Sequence, residues 1–358
     1  MDILRAIAII LVVLGHNYPI PGATWLETYF PMAPYRLALF LFASGYFFKD
    51  LTWKDYPSFF WRKTKGLAVP LLGWNVVYAG IASILVWRNL VDYLPSLHEI
   101  WSLKLLFVEP FVSGHQYILN LATWFVGMLY TALLVYGVIN ILFHNKYADH
   151  ILLIIYAFIA IAGLSHTSLL QCNHYWYLPL HMSYALFFIH FGKYYRRYIE
   201  PYIEHVSSWI LIPACLLFSY LSVRIGGEVP YSLAWMKYGG HIILPLFMAI
   251  SGILLWMRLT RIIETYILPN KLEQVISKAT WDIMTHHLFA KLIIGWILIH
   301  WAIEPELTDA FRHSIWFTPK TFDYWMTVFL QVALPVLWYL LFSFVKKSLH
   351  KLAYQKKQ

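Results

Sequence analysis

Asp2-Ile-Leu-Arg-Ala-Ile-Ala-Ile-Ile-Leu-Val-Val-Leu-Gly-His16 is apolar or glycine except at Asp2, Arg5 and His16, which predicts a membrane-buried helix. At 100° per residue, Arg5 and His16 differ by only about 20° around the axis, and Asp2 lies about 40° to the other side of His16. All three share one face. At 1.5 Å per residue the guanidinium lies roughly 16 Å below the imidazole, about half the hydrocarbon thickness. Lipid alone penalises each charged group there by a few kcal/mol, so the face must look into protein or water. A snorkelling arginine and a packing histidine would be the plainer account, but three polar groups on one stripe mark a site or a pathway.

The rest of the chain agrees with a bilayer setting. Its 358 residues are 60% hydrophobic and 13% charged, with 26 Tyr, 24 Phe and 17 Trp, about half the charge of a soluble domain. Hydropathy predicts an all-α polytopic integral membrane protein of about ten transmembrane helices around a polar cavity. They are expected near 2–18, 34–48, 66–86, 118–142, 150–165, 178–193, 208–223, 241–258, 283–302 and 325–345. Residues 1–358 read as one transmembrane domain with no appended soluble domain. The first span lacks the basic lead of a cleavable signal peptide. Cys172 and Cys215 are too few and too far apart for a disulfide scaffold or a CxxC metal site.

Lysine and arginine are unevenly shared between the two sides. Lys49, Lys54, Arg62, Lys63, Lys65, Lys146, Lys193, Arg196, Arg197, Arg258, Arg261, Lys271 and Lys278, with Lys346, Lys347, Lys351, Lys356 and Lys357 of the tail, fall on one; Arg36, Arg88, Lys104, Arg224, Lys237, Arg312 and Lys320 fall on the other. The positive-inside rule therefore predicts a multi-pass protein of the cytoplasmic (inner) membrane with both termini in the cytoplasm. The net charge of +9 serves orientation and calls for no nucleic acid; the bilayer itself is the expected partner. Trp87 to Tyr117, which includes His98, Glu99, Lys104, Glu109 and His115, reads as a solvated connector with an interfacial helix, or alternatively as a re-entrant lid.

Arginine, ten residues, then histidine on the first span resembles the signature of the membrane-bound acyltransferase-3 family, bacterial enzymes that acylate cell-surface sugars. Ser44-Gly45-Tyr46-Phe47-Phe48, Arg62-Lys63-Thr64-Lys65-Gly66-Leu67-Ala68-Val69-Pro70, Thr123-Trp124-Phe125-Val126, Gly192-Lys193 with Arg196-Arg197, and Thr280 to His287 are similar to its further motifs, in the same order. A proline common in the family before the span-two serine is Ala38 here.

The resemblance implies transfer of an acetyl (acyl) group from acetyl-CoA to a hydroxyl of a carbohydrate acceptor, alone or with polysaccharide-assembly partners. Such chemistry needs a base for a weakly acidic hydroxyl and donors for an oxyanion. His16 is the natural base, either removing the acceptor's proton directly or carrying the acetyl group covalently. Arg5 binds a CoA phosphate or holds the site's shape, with Asp2 as its orienting carboxylate or a simple ion-pair partner. Arg62, Lys63 and Lys65 are candidate CoA-phosphate ligands, or else topology signals. Ser44, Tyr46, Trp124 and His287 are candidate substrate contacts. For Ser44 helix capping, for Trp124 interfacial anchoring, and for His287 helix packing are the competing roles. Neighbouring His286 and His287 point about 100° apart and cannot easily share a metal, so no metal is expected. The rival class is a proton-coupled or anion transporter built on Arg5, His16, His287 and Lys291.

Overall fold

The computed structural model describes residues 2–17, 20, 22, 24–114, 117–143, 145–226, 231–238, 241–266, 271–317, 319 and 324–355. His115, Lys320, Lys356 and Lys357, named above, lie outside them. Ten principal helices follow one another: α1 (Asp2–Gly15), α2 (Ala38–Tyr46), α3 (Tyr56–Trp87), α4 (Ile118–Leu142), α5 (Lys146–Ser165), α6 (Tyr177–Tyr194), α7 (Ser208–Gly226), α8 (Leu244–Tyr266), α9 (Thr280–His300) and α10 (Tyr324–Gln355). Strand among the described residues is confined to a two-residue hairpin ladder, β1 (Tyr231–Ser232) against β2 (Lys237–Tyr238). The protein is an all-α polytopic membrane protein.

Seven of these helices, α3, α4, α5, α7, α8, α9 and α10, are long and apolar enough to cross a membrane. The other three expected spans differ for a physical reason. At 14 residues α1 is roughly 21 Å long, short of a 30 Å core. Helix α2 has nine residues, and α6 carries His181, His190 and Lys193 in its interior. All three are central: 13 of the 18 residues of α6 are buried, whereas only 17% of the apolar window of α7 and 22% of that of α10 are. Helices surrounded by protein can be short and polar, because neighbours satisfy what lipid would not.

Three π-turns share one cause. Thr64–Ala68, Lys104–Val108 and Tyr195–Ile199 each end two residues before a proline, Pro70, Pro110 or Pro201. Proline has no N–H and its ring crowds the carbonyl four residues back. The residue before it reaches instead to the fifth carbonyl: Val69 to Thr64, Glu109 to Lys104, Glu200 to Tyr195. Helix α3 thus runs through the basic stretch and starts at Tyr56, ten residues before the expected span.

The core is built on close backbone approach and buried charge. A side chain at Gly45 would strike the Ile189 carbonyl, and one at Gly192 would strike the Phe42 carbonyl, so α2 and α6 pack through mutually inserted glycines. At one end of this pair, Asp149 receives Arg197 (3.0 Å) and Lys193 (3.3 Å), and Lys193 also contacts Asp50 at 2.6 Å. Asn140 closes the network, donating to Asp50 (2.9 Å) and accepting from the Leu51 amide (3.0 Å). Partial burial raises the Asp50 carboxyl's pKa, but hydrogen bonds from Lys193 and Asn140 outweigh it and hold the group below its ordinary 3.8. The segment Trp87 to Tyr117 is only partly solvated: Trp101, Leu103 and Phe107 are exposed, Ile100, Leu106, Glu109 and Pro110 are buried, and a side chain at Gly127 of α4 would meet the Pro110 carbonyl.

Two outcomes are expected in detergent. Gly192→Ala should cost about 1–3 kcal/mol in thermal unfolding through overpacking, while Gly73→Ala, whose added methyl meets open space, should leave the midpoint unchanged or raise it. Because the folded Asp50 carboxyl has the lower pKa, its contribution is full above pH 3.8 and is lost as pH falls through the folded value. Asp50→Asn should therefore flatten the acid limb of a stability profile.

Candidate functional site

Three helices converge on one imidazole. His16 lies just past the end of α1, and Nδ1 of its ring is 2.8 Å from the Val12 carbonyl. His287, on α9, places its own Nδ1 2.8 Å from the Ile283 carbonyl and its Nε2 3.3 Å from His16 Nδ1. A carbonyl only accepts, so both Nδ1 atoms carry protons. His287 Nε2 then presents a lone pair to the His16 Nδ1–H, and His16 Nε2 is left unprotonated. The relay runs from the Ile283 carbonyl through His287 to a basic nitrogen on His16. A third ring fixes the plane, since Trp316 stacks on His16 with centroids 5.8 Å apart and planes 8° apart. Asn17, the next residue, exchanges two 3.0 Å hydrogen bonds with Gln331 of α10 and so pins the end of α1.

His16 looks into a small chamber of about 40 Å³, walled in part by Arg36, Trp124, Leu233 and Met284. By that measure it holds only a few water-sized groups. Gly15 is required here, because any side chain on it would occupy the position of the Arg36 guanidinium. Below, a second chamber of about 640 Å³ is lined by Arg5, Lys49, Arg62, Lys63 and Lys278 with no carboxylate, and by Ser44 and Thr280. Met284 lines both chambers, one turn from His287 on the same face of α9. It is the partition between the basic chamber and the imidazole.

The structure therefore brings together Arg5, Arg62, Lys63 and Ser44 in the basic chamber, and His16 and Trp124 in the smaller one, with His287 behind His16. Three candidates fall elsewhere. Lys65 turns away, its ammonium 4.9 Å from the Trp61 ring centroid. Tyr46 donates to Glu200 (2.7 Å) and lies under Arg196, fastening α2 to the end of α6. Asp2 accepts from Ser277 (2.9 Å) and sits 3.7 Å from Arg5, both partners half-exposed, an ion pair of little energetic weight. Ser44 bonds back to the Phe40 carbonyl at 2.8 Å. His286 points the other way from His287, to the Tyr78 hydroxyl at 2.9 Å. Sequence reasoning missed Arg36, Lys49, Lys278 and Met284 as site residues. Arg36, Lys49 and Lys278 were legible only as topology charges, and Met284 only as an apolar helix position. Among the described residues no group of three or more His, Cys, Asp or Glu is arranged to hold a metal.

A bundle of membrane helices that encloses a basic chamber beside a half-buried histidine pair defines a polytopic membrane protein with a polar interior. Residues 1–260 match the family described as "Acyltransferase domain", acyltransferase family 3, and the chain belongs to it. No curated protein and no solved structure matches. The match ends before α9, so the pairing of His287 with His16 is a finding of the structure alone.

Replacing Arg62 and Lys63 together by Gln removes two of the five cations that line the basic chamber. If the chamber holds the phosphates of CoA, as the resemblance implies, half-saturating acetyl-CoA should rise about tenfold or more, as expected for lost charge-assisted hydrogen bonds, with the unfolding midpoint unchanged. Lys65→Gln, on the outside, should leave both alone.

Proposed function

We propose that this chain is a membrane-bound O-acyltransferase that moves an acetyl group from acetyl-CoA to a hydroxyl of a cell-surface carbohydrate, with His16 as general base. The observation that carries the reading is the juxtaposition of a polycationic chamber with an imidazole that lines an adjoining space of acetyl size. A polyanionic thiol ester fits the first and its acyl group fits the second. Phosphates of CoA would lie against Arg62, Lys63 and Lys278, with Arg5 and Lys49 at the rim. The thioester would reach past Met284. The size of the upper chamber favours acetyl over longer acyl groups.

The reaction follows from this placement. The acceptor oxygen attacks the thioester carbonyl while His16 Nε2 takes its proton. His287 stabilises the resulting imidazolium by accepting from Nδ1–H, as the orienting partner does in a catalytic triad. Arg36, lining the same chamber, is the cation nearest the developing oxyanion. Collapse of the tetrahedral adduct breaks the carbon–sulfur bond, and the departing thiolate recovers the proton from His16. Because CoA is a cytosolic donor, the basic chamber and both termini are assigned to the cytoplasmic side of the inner membrane. Partners in polysaccharide assembly would supply the acceptor from the opposite side.

Purified protein given labelled acetyl-CoA and cell-envelope glycan should transfer label to the glycan, and His16→Ala should reduce the rate about 10²- to 10⁴-fold. Uptake of solute into sealed vesicles with no transfer would overturn the proposal. In a single turnover without acceptor, the protein itself should stay unlabelled.

A further inference from the structure

The face opposite the basic chamber carries a second cavity. Helix α3 begins beside Arg62 and Lys63 and ends at Trp87, roughly 36 Å further along its axis, and the chain beyond it folds into a pocket of about 640 Å³ lined by Glu99, Lys104, Glu109, Ser113, His174 and Tyr177. Glu109 is its centre and is buried. One carboxylate oxygen faces Lys104 (3.3 Å) and His174 (3.1 Å), and the other accepts from Ser113 at 2.5 Å. A carboxylate has about four acceptor positions, so three neighbours do not exhaust those of Glu109, which lines the cavity.

This pocket and the imidazole chamber share a wall. Ser113 lines the pocket, and the next residue, Gly114, has φ of +72° and lies so close to Trp124 that any side chain would collide with it. Tyr177 lines the pocket too, and one turn later on α6 His181 packs against Trp124 with ring centroids 4.8 Å apart. Trp124 in turn lines the chamber of His16. Trp124 therefore stands between the chain neighbours of the outer pocket's lining and the chamber of the proposed base. The two mouths differ in charge: five cations and no acid in one, two carboxylates, one lysine and one histidine in the other.

We infer that the Glu109 pocket is the acceptor subsite and that it takes an uncharged polyhydroxylated ring, a neutral glycoside unit, in preference to a phosphate-bearing one. Glu109 and Ser113 supply acceptors and a hydroxyl for sugar hydroxyls, and Tyr177 supplies an aromatic surface. Two carboxylates repel a phosphate that the basic chamber would attract. The inference takes its ligand class from the acyltransferase reading, but its test does not require turnover.

Binding of methyl β-D-glucopyranoside and of glucose 6-phosphate to purified protein in nanodiscs, read by saturation-transfer NMR, provides that test. Wild type and His16→Ala should bind the neutral glycoside alike and favour it over the phosphate ester. Glu109→Gln should weaken it about tenfold or more. Tyr177→Ala, which leaves the Glu109 ion pairs in place, should weaken it as well, and half-saturating acetyl-CoA should be the same in both pocket variants as in wild type. Equal binding of the two probes, or glycoside binding untouched in both pocket variants, overturns the inference. Binding as expected without any acetyl transfer keeps the pocket and removes the enzymatic reading.

Discussion

A polar group inside a bilayer has to be enclosed by its own protein, and this requirement orders the whole molecule. His16, His287, Lys291, His190, Asp149 and Lys193 lie on helices of an integral membrane protein, and five of the six are buried. Helices α1, α2 and α6, which carry or adjoin these groups, are accordingly well buried, and the apolar windows of α7 and α10 are the most exposed. A soluble protein sorts its residues the other way. Here the buried polar groups gather at the centre, because the centre is where partners for them can be found.

Within that enclosure the histidine pair is set by backbone rather than by another charged side chain. The Val12 and Ile283 carbonyls each sit one helical turn before the histidine they hold, so both tethers belong to their own helix and need no long-range fit. Only the 3.3 Å contact between the rings depends on how α1 meets α9. The amide exchange between Asn17 and Gln331 fixes that meeting from a third side. A neutral relay also avoids placing a carboxylate where its desolvation would be costly.

Much of this was legible in the sequence, for reasons that also explain what was not. The face shared by Arg5 and His16 follows from helical periodicity, and hydropathy locates the long spans. Local rules fail where distant segments decide the outcome. Tyr46 and Lys65 sit beside motif residues, yet their side chains turn to Glu200 and Trp61, and no period along the chain announces that. Arg36 reads as a loop charge until Gly15 is seen to make room for it over the end of α1. Met284 reads as one apolar residue among many until two cavities are found on either side of it. The π-turns before Pro70, Pro110 and Pro201 are an intermediate case: the prolines are visible, but a kink, a break and a widened turn all satisfy them.

The proportions of the chambers bear on how two substrates of opposite character could meet. A basic chamber of about 640 Å³ suits a large polyanion, while the space at His16 is some fifteen times smaller. Whatever enters the basic chamber can therefore send only a thin end past Met284, and the charged bulk stays where the cations are. On the opposite side Trp124, packed against Gly114 and His181, lines the same small chamber. On the proposed reading the acceptor hydroxyl meets the thioester at His16, and only the acyl group passes from one carrier to the other. Small size and the absence of charge are what that passage selects, and both are properties of the group to be transferred rather than of either carrier.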